Sequence, residues 1–448
     1  MIAYSIRQIA DIVNGEVRGE DTGLVTSVVI DSRQAVKGSM FAAMLGEKVD
    51  GHDFIGKAFD NGCTCCIANR VPENETRPVI IVEDVAKALR ILAEEYRKTL
   101  KIPVIGITGS VGKTTTKEMI ASVLSQKFNV LKTDKNFNNE LGVPLTLFRI
   151  EKEHTVAVVE MGISDFGEMS RLGAMVRPDI AVFTIIGHAH LENLGSREGI
   201  LKAKTEMIDF MHDSGIVCVN GDDNLLHFYE TTLKKVEYGT EEYNDIIAEN
   251  IVVNSSGTKC TLALDDRKID VEIPAYGNHM VYATLAGASV GIALGLTDDD
   301  IKKGISDYKT VGSRSNIINK GNFIVIDDCY NANPDSVKSG IDSMKSFEGR
   351  HICVLGDMLE LGDNKENFHY EIGKYAADND VSAVLCVGDL SRNTVEGACD
   401  GGIFAKLFKN NAELISYLNS FIEDNDSILV KASHAMNFVE ISDFLRAI

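Results

Sequence analysis

Proline is scarce in this sequence, 7 in 448 residues, and no long disordered tract is evident. Basic residues are also in deficit, with 45 Lys and Arg against 66 Asp and Glu and a formal net charge of -21. A protein that coats nucleic acid or anionic lipid needs a basic surface to release counterions, so the balance argues against both partners. Anionic small molecules stay open wherever Lys, Arg and helix N-termini gather locally. Long apolar runs are missing too: no uninterrupted stretch reaches about 18 apolar residues, and residues 1–10 lack the apolar run behind basic residues that marks an export signal. The expectation is a soluble cytoplasmic protein without membrane insertion. Paired metal-binding cysteines are absent as well. The 9 cysteines are odd in number, and Cys218, Cys353 and Cys386 sit in apolar strand-like runs, which reads as reduced core thiols. Cys63, Cys65 and Cys66 cluster without a second Cys or His pair at partnering distance, so core packing is favoured over a zinc site.

What is present is an ordinary globular composition, 44% hydrophobic and 25% charged. The chain is too long for one core, and typical domain sizes give about two to four units. The patterning predicts three, of α/β class. Residues 1–98 form a smaller α/β domain of short strands and turns ending in a helix at 85–100. Residues 99–310 form a central domain with a mostly parallel sheet, with strands at 103–107, 156–159, 180–186 and 216–219. Its alternating Thr- and Val-rich stretch at 245–274 predicts antiparallel strands at the sheet edge, followed by a helix at 281–294. Residues 311–448 repeat the α/β alternation as a Rossmann-like, doubly wound domain, with strands at 323–326, 352–355, 383–387 and 428–430.

The run Gly106-Ile-Thr-Gly-Ser-Val-Gly-Lys-Thr-Thr-Thr116 stands between a strand and a helix, where backbone N–H groups and the helix dipole converge on an anion. Gly109, Ser110, Val111, Gly112, Lys113, Thr114 and Thr115 are therefore candidate nucleotide-binding residues. Lys113 would neutralise the β and γ phosphates, and Thr114 would reach a metal ion. The common pattern wants glycine where Ile107 stands, so this is a variant phosphate loop.

Glu160 ends the apolar run 156–159, which places a carboxylate at a strand's C-terminal edge, where open α/β sheets bind ligands. The segment Gly187-His-Ala-His-Leu-Glu-Asn-Leu-Gly-Ser-Arg-Glu198 follows another strand and adds His188, His190 and Glu192. A site that transfers phosphate must neutralise two phosphate-bearing species together. Magnesium with oxygen ligands and a cationic clamp are then expected.

Taken together, Thr108-Gly-x-x-Gly-Lys-Thr-Thr115, Glu160-Met-Gly, Gly187-x-Ala-His-Leu-Glu192, Leu194-Gly-Ser-x-Glu198 and Ala203-Lys-x-Glu206 resemble the Mur ligase family. The likeness extends over essentially the whole chain. Near the N-terminus Asp31-Ser-Arg-x-x-x-x-Gly38 and Asp50-Gly-His-Asp-Phe54 resemble the family's UDP-muramoyl domain; Asn136-Phe-Asn-Asn-Glu-Leu-Gly-Val-Pro144 is similar to its Asn-rich loop; Asp327-Asp-Cys-Tyr-Asn-Ala-Asn-Pro-Asp-Ser336 is the strongest single match. The resemblance implies an ATP-dependent ligase that joins D-alanyl-D-alanine to UDP-N-acetylmuramoyl-tripeptide through an acyl phosphate in peptidoglycan precursor synthesis. It implies that Glu160, His190 and Thr114 hold Mg2+, and that Lys204, rather than Lys202, is carried as a carbamate and joins them. Lys113, Glu160, His190 and Lys204 are the catalytic candidates. His279, Arg314, Asp327 and Asn331 would meet the nucleotide, and Ser32, Arg33, Asn136, Asn138 and Asn139 the UDP-sugar peptide. A monomer is the expected state.

The chain departs from the family pattern in several places. Ile185 stands for a frequent Asn, Met280 and Ala283 replace two further Asn, and Ala432 and His434 replace Gly and Arg in Lys431-Ala-Ser-His434. Adenine would then lean on His279 and apolar packing. Two other readings stay open: a folylpolyglutamate-type ligase, which has no use for the N-terminal pattern, and an inactive relative that binds the nucleotide-sugar peptide.

Overall fold

The computed structural model describes residues 1–46, 49–254, 257–264, 266–310, 312 and 316–448. Among these residues the chain forms three main sheets, with helices packed on them. The N-terminal sheet runs, edge to edge, Glu16–Arg18, Val79–Ile81, Cys65–Ala68, Ser39–Ala42 and Ser27–Val29. All of its pairs are parallel except that of Glu16–Arg18 with Val79–Ile81.

The helix Val85–Thr99 begins where the Asp84 side chain accepts from Lys87 N, a cap that satisfies one of the helix's free donors. Its buried Leu89, Leu92, Ala93 and Tyr96 recur at helical spacing, and they pack in one cluster with Ile6 and Phe148. The first and central regions thus share apolar contacts. The joint is also polar: Arg97 donates to Val176 O at 2.8 Å and Arg177 O at 3.0 Å.

The central sheet is ordered Arg267–Ile273, Gly257–Leu264, Ile246–Asn254, Lys234–Gly239, Ile216–Asn220, Ile180–Phe183, Val104–Thr108, Val156–Glu160, Val130–Lys132. Its core strands are parallel and apolar on both faces, as strands covered by helices on both sides must be. At one edge Ile246–Asn254, Gly257–Leu264 and Arg267–Ile273 pair antiparallel, as their alternating pattern predicts. Ile180–Phe183 ends earlier than the apolar run suggests: Thr184 N still donates to Thr108 O at 3.0 Å, and its hydroxyl donates to Val111 O at 2.6 Å in the loop.

The C-terminal sheet is ordered Asn316–Asn319, Ile324–Asp327, Ser427–Lys431, His351–Gly356, Ala383–Val387, Phe404–Phe408, antiparallel only at its first pair. Its helices cover both faces, with separate apolar clusters on each. No helix among the described residues is long and apolar enough to cross a membrane.

The C-terminal sheet's domain is docked onto the central one. His188 N donates to Asp335 Oδ2 at 2.7 Å, and His190 Nδ1 lies 2.6 Å from Glu360 Oε2.

Candidate active site

The strand Val104–Thr108 lies between Ile180–Phe183 and Val156–Glu160, so the loop after it opens into the crevice where strand order reverses. Gly109 (φ +148°) and Gly112 (φ +85°) carry the chain round into the helix Lys113–Leu124. A Cβ at Gly109 would stand 1.9 Å from Thr184 Oγ1, so only glycine fits there. The loop is stitched to the neighbouring strand's end: Ser110 N donates to Ile185 O at 2.8 Å, and Gly187 N donates to Ser110 Oγ at 3.0 Å. Lys113 Nζ donates back to Gly109 O at 2.8 Å. No side chain caps the helix, which leaves its first N–H groups for an anion. Ile185 takes part through its backbone carbonyl, which any residue supplies.

Glu160 pairs with Ile107 in the parallel register and is 1% exposed. Thr114 Oγ1 donates to its Oε2 and Asn138 Nδ2 to its Oε1, both at 2.8 Å. Lys117 stands 3.8 Å from the same carboxylate and 3.1 Å from Glu118, with its Nζ donating to Thr133 O at 2.8 Å. Sequence reasoning passed over Lys117, although it falls one helical turn after Lys113 and so beside the loop.

Lys204, in the helix Arg197–Thr205, is 1% exposed, and its Nζ has no hydrogen-bond partner among the described residues. Burial drives its pKa well down, the Lys113 charge adds to this, and Glu168 opposes it. A neutral buried amine of this kind can add CO2, and the anion formed would attract the Lys113 charge that an ammonium at Lys204 would repel. The site therefore fits a carbamate. Lys202 is exposed.

A cavity of about 470 Å³ joins part of this set to the C-terminal domain: Lys113, Asn138, Glu160 and His190 line one side, Asn331 and Lys431 the other, while Thr114 and Lys204 are buried and do not border it. Val111, Ser110, Gly112, Thr115 and Asn139 also border it, whereas Asn136 does not. Asn139 Oδ1 accepts from Gly142 N at 2.9 Å and so caps the next helix. Among the described residues no three His, Cys, Asp or Glu side chains gather as a cation site. Glu160, Thr114 and His190 still suit Mg2+, which binds through one or two carboxylates and takes its other ligands from water and phosphates.

A second cavity, about 420 Å³, continues from Gly112 past His279 to Asn278, Tyr282 and Ala283. Burial lowers the His279 pKa, with Asp328 acting against and Lys431 with the shift. Ala283 borders this cavity, but Met280 is buried in the core, so only one of the two substitutions touches the space.

Asp327 is not brought into the cavity. Its carboxylate is fully buried and pairs with Arg446 of the last helix, while the next residue, Asp328, borders the cavity and pairs with Lys431. Arg314 lies outside the described residues. Ser32 and Arg33 border neither cavity: Ser32 is buried, with its carbonyl accepting from Asn61 Nδ2 at 2.8 Å, and Arg33 reaches Asp31 at 2.7 Å. That contact holds the Asp31 pKa down at about 2. Ala432 packs against Gly356, where a Cβ would approach it to 2.7 Å; His434 lies against the Tyr330 ring at 5.6 Å.

Comparison with known proteins adds to this geometry. Family profiles match the chain in three successive blocks: "Mur ligase family, catalytic domain" over residues 24–97, "Mur ligase middle domain" over 107–291 and "Mur ligase, glutamate ligase domain" over 313–434. The chain is 36% identical to the UDP-N-acetylmuramoyl-tripeptide--D-alanyl-D-alanine ligase of Bacillus subtilis and 35% identical to that of Escherichia coli, over 98% of both chains in each case. It resembles the crystal structure of MurF from Acinetobacter baumannii (TM-score 0.91, 30% identity, 100% of this chain and 99% of that one). MurF ligase from Thermotoga maritima, solved with ADP, is similar at TM-score 0.83 and 30% identity over 94% and 97% of the two chains. Folylpolyglutamate synthase of Mycobacterium tuberculosis shares the fold alone, at 15% identity and TM-score 0.63 over 80% of this chain and 94% of that one.

Proposed function

The chain belongs to the Mur ligase family, and from that membership we propose that it is an ATP-dependent carboxylate–amine ligase adding D-alanyl-D-alanine to UDP-N-acetylmuramoyl-tripeptide, a step of peptidoglycan precursor synthesis. The observation that carries this reading is the cavity with the phosphate loop on one wall and C-terminal Asn331 and Lys431 on the other. A condensation between two substrates and ATP needs such a junction.

Residues 99–310 hold ATP, residues 1–98 the UDP-sugar end of the peptide substrate, and residues 311–448 the dipeptide. The tripeptide's terminal carboxylate attacks the γ-phosphorus and ADP leaves. The dipeptide amine then attacks the acyl carbon of the acyl phosphate, and phosphate leaves. Lys113 and the open helix N-terminus offset the charge of the transferring phosphoryl group. Asn138 and Thr114 hold Glu160 in one orientation, and buried Lys117 stands 3.8 Å from that carboxylate. Mg2+, held by Thr114, Glu160, His190 and a carbamylated Lys204, would supply charge neutralisation at the phosphates. Docking of the C-terminal domain covers the cavity, which keeps water from the acyl phosphate. Asp328 and Asn331 border the cavity on its C-terminal side. The protein works as a cytoplasmic monomer.

A folylpolyglutamate-type ligase is disfavoured, because likeness to that enzyme is confined to fold. An inactive binding relative is disfavoured by the intact Lys113, Thr114, Glu160, His190 and Lys204. The test is to supply ATP, Mg2+, UDP-N-acetylmuramoyl-tripeptide and D-alanyl-D-alanine and follow phosphate release and product mass. Phosphate formed only with both substrates, with a pentapeptide product, supports the ligase. Tight substrate binding without product means the inactive relative.

A further inference from the structure

Glu360 and His190 meet across the boundary between the C-terminal and central domains, with 2.6 Å between Oε2 and Nδ1. Both are in left-handed backbone, φ +63° and +61°. That conformation is uncommon for residues with a side chain and costs roughly 1 kcal/mol or more, so it persists only where surrounding structure enforces it. Here the enforcement is visible. Met358 N donates to His369 Nε2 and Leu359 N to Ser433 Oγ, both at 2.9 Å, which pins the chain entering Glu360. On the other side His188 N is held by Asp335. The Glu360 side chain is 58% exposed and that of His190 24%, so the pair is not explained by a need to bury either group. Nδ1 is buried and approached by Glu360 without the alignment of a hydrogen bond, having no such partner among the described residues; Glu360 is the acceptor beside it, and Nε2 is the ring nitrogen left for the cavity that His190 shares with Glu160 and Lys113.

We propose that Glu360 is a positioning residue for the cation site: when the C-terminal domain docks, its carboxylate takes His190 Nδ1, fixes the ring's tautomer and plane, and presents Nε2 to a divalent cation shared with Glu160. The inference rests on the proposed ligase and its cation at His190. A carboxylate behind a metal-binding imidazole raises its basicity and restricts its rotation, and losing one typically costs about 10–100-fold in metal affinity. Cation binding and domain docking are then linked, each strengthening the other by the same factor.

The test uses the full chain with a non-hydrolysable ATP analogue and Mn2+ as the probe, titrated by electron paramagnetic resonance. Glu360→Gln and Glu360→Ala should each weaken Mn2+ binding about 10–100-fold, leave metal-free nucleotide binding unchanged, and have no further effect in a His190→Ala background. A loss in His190→Ala with none in either Glu360 variant overturns the positioning role and spares the cation site. No loss in any of the three overturns the cation assignment and the inference with it. The ligase reading stands apart, since it is judged by product.

Discussion

Thr114 Oγ1 donates to Glu160 Oε2 at 2.8 Å, tying the first turn of the phosphate-loop helix to the end of the adjacent parallel strand. The contact joins two residues 46 positions apart, and it lets a change at either one test the whole crevice. Glu160→Gln keeps the shape but offers Thr114 and Lys117 a neutral amide. Glu118 still accompanies Lys117, so the fold should survive with a loss of about 1–3 kcal/mol, whereas turnover should drop on the order of 10²-fold or more. Denaturant unfolding and steady-state rates check the two parts separately.

Gly109→Ala should fail differently. The new Cβ would collide with Thr184 Oγ1 in a backbone region that L side chains avoid, so the loop must shift. Stability should fall by about 1–3 kcal/mol, and ATP affinity should fall with it, because the loop's N–H groups lose their common focus. Calorimetric titration of ATP measures this directly.

Lys204 is buried and unpartnered, with its pKa well lowered. Lys204→Ala should abolish turnover while leaving nucleotide binding nearly intact, and acetate or formate should restore part of the activity by placing a small carboxylate in the vacated space. Rescue that rises with carboxylate concentration and is absent with chloride supports the carbamate. Equal activity of Lys204→Arg, which cannot add CO2, contradicts it.

His369 gives a pH prediction. Its Nδ1–H donates to Lys365 O at 2.7 Å and its Nε2 accepts from Met358 N at 2.9 Å, an arrangement only the neutral ring can make. Burial lowers its pKa, with the Lys365 carbonyl and Asp357 opposing. A lowered folded-state pKa means the unfolded chain takes up the proton first. The histidine's contribution is therefore present above the unfolded value, about 6.5, and is lost as pH falls through the folded value. His369→Phe should flatten the decline of stability as pH falls below about 6.5. Thermal unfolding across that range checks it.

Local chemistry explains which parts of this site could be read in the sequence. The phosphate loop is legible because Gly109, Gly112, Lys113 and Thr114 are neighbours in the chain, and strand and helix periods frame them. Glu160 is legible as the end of an apolar strand. The same logic misplaces Asp327: at the end of a buried strand one residue decides the face, and its partner Arg446 lies 119 positions away. Asp328 takes the outward place. Lys117 carries no motif, and its role follows only from the neighbouring strand's register. Neither the Glu360–His190 contact nor the shared core of the first two regions has a sequence signature, since each depends on how domains dock.

The central claim, acyl transfer through a phosphorylated carboxylate, is tested most directly by labelling the tripeptide's terminal carboxylate with oxygen-18 and running the reaction with ATP and D-alanyl-D-alanine. The account predicts one labelled oxygen in each phosphate released and a pentapeptide that has lost one label. Phosphate released without label, or released equally when the dipeptide is omitted, would contradict it.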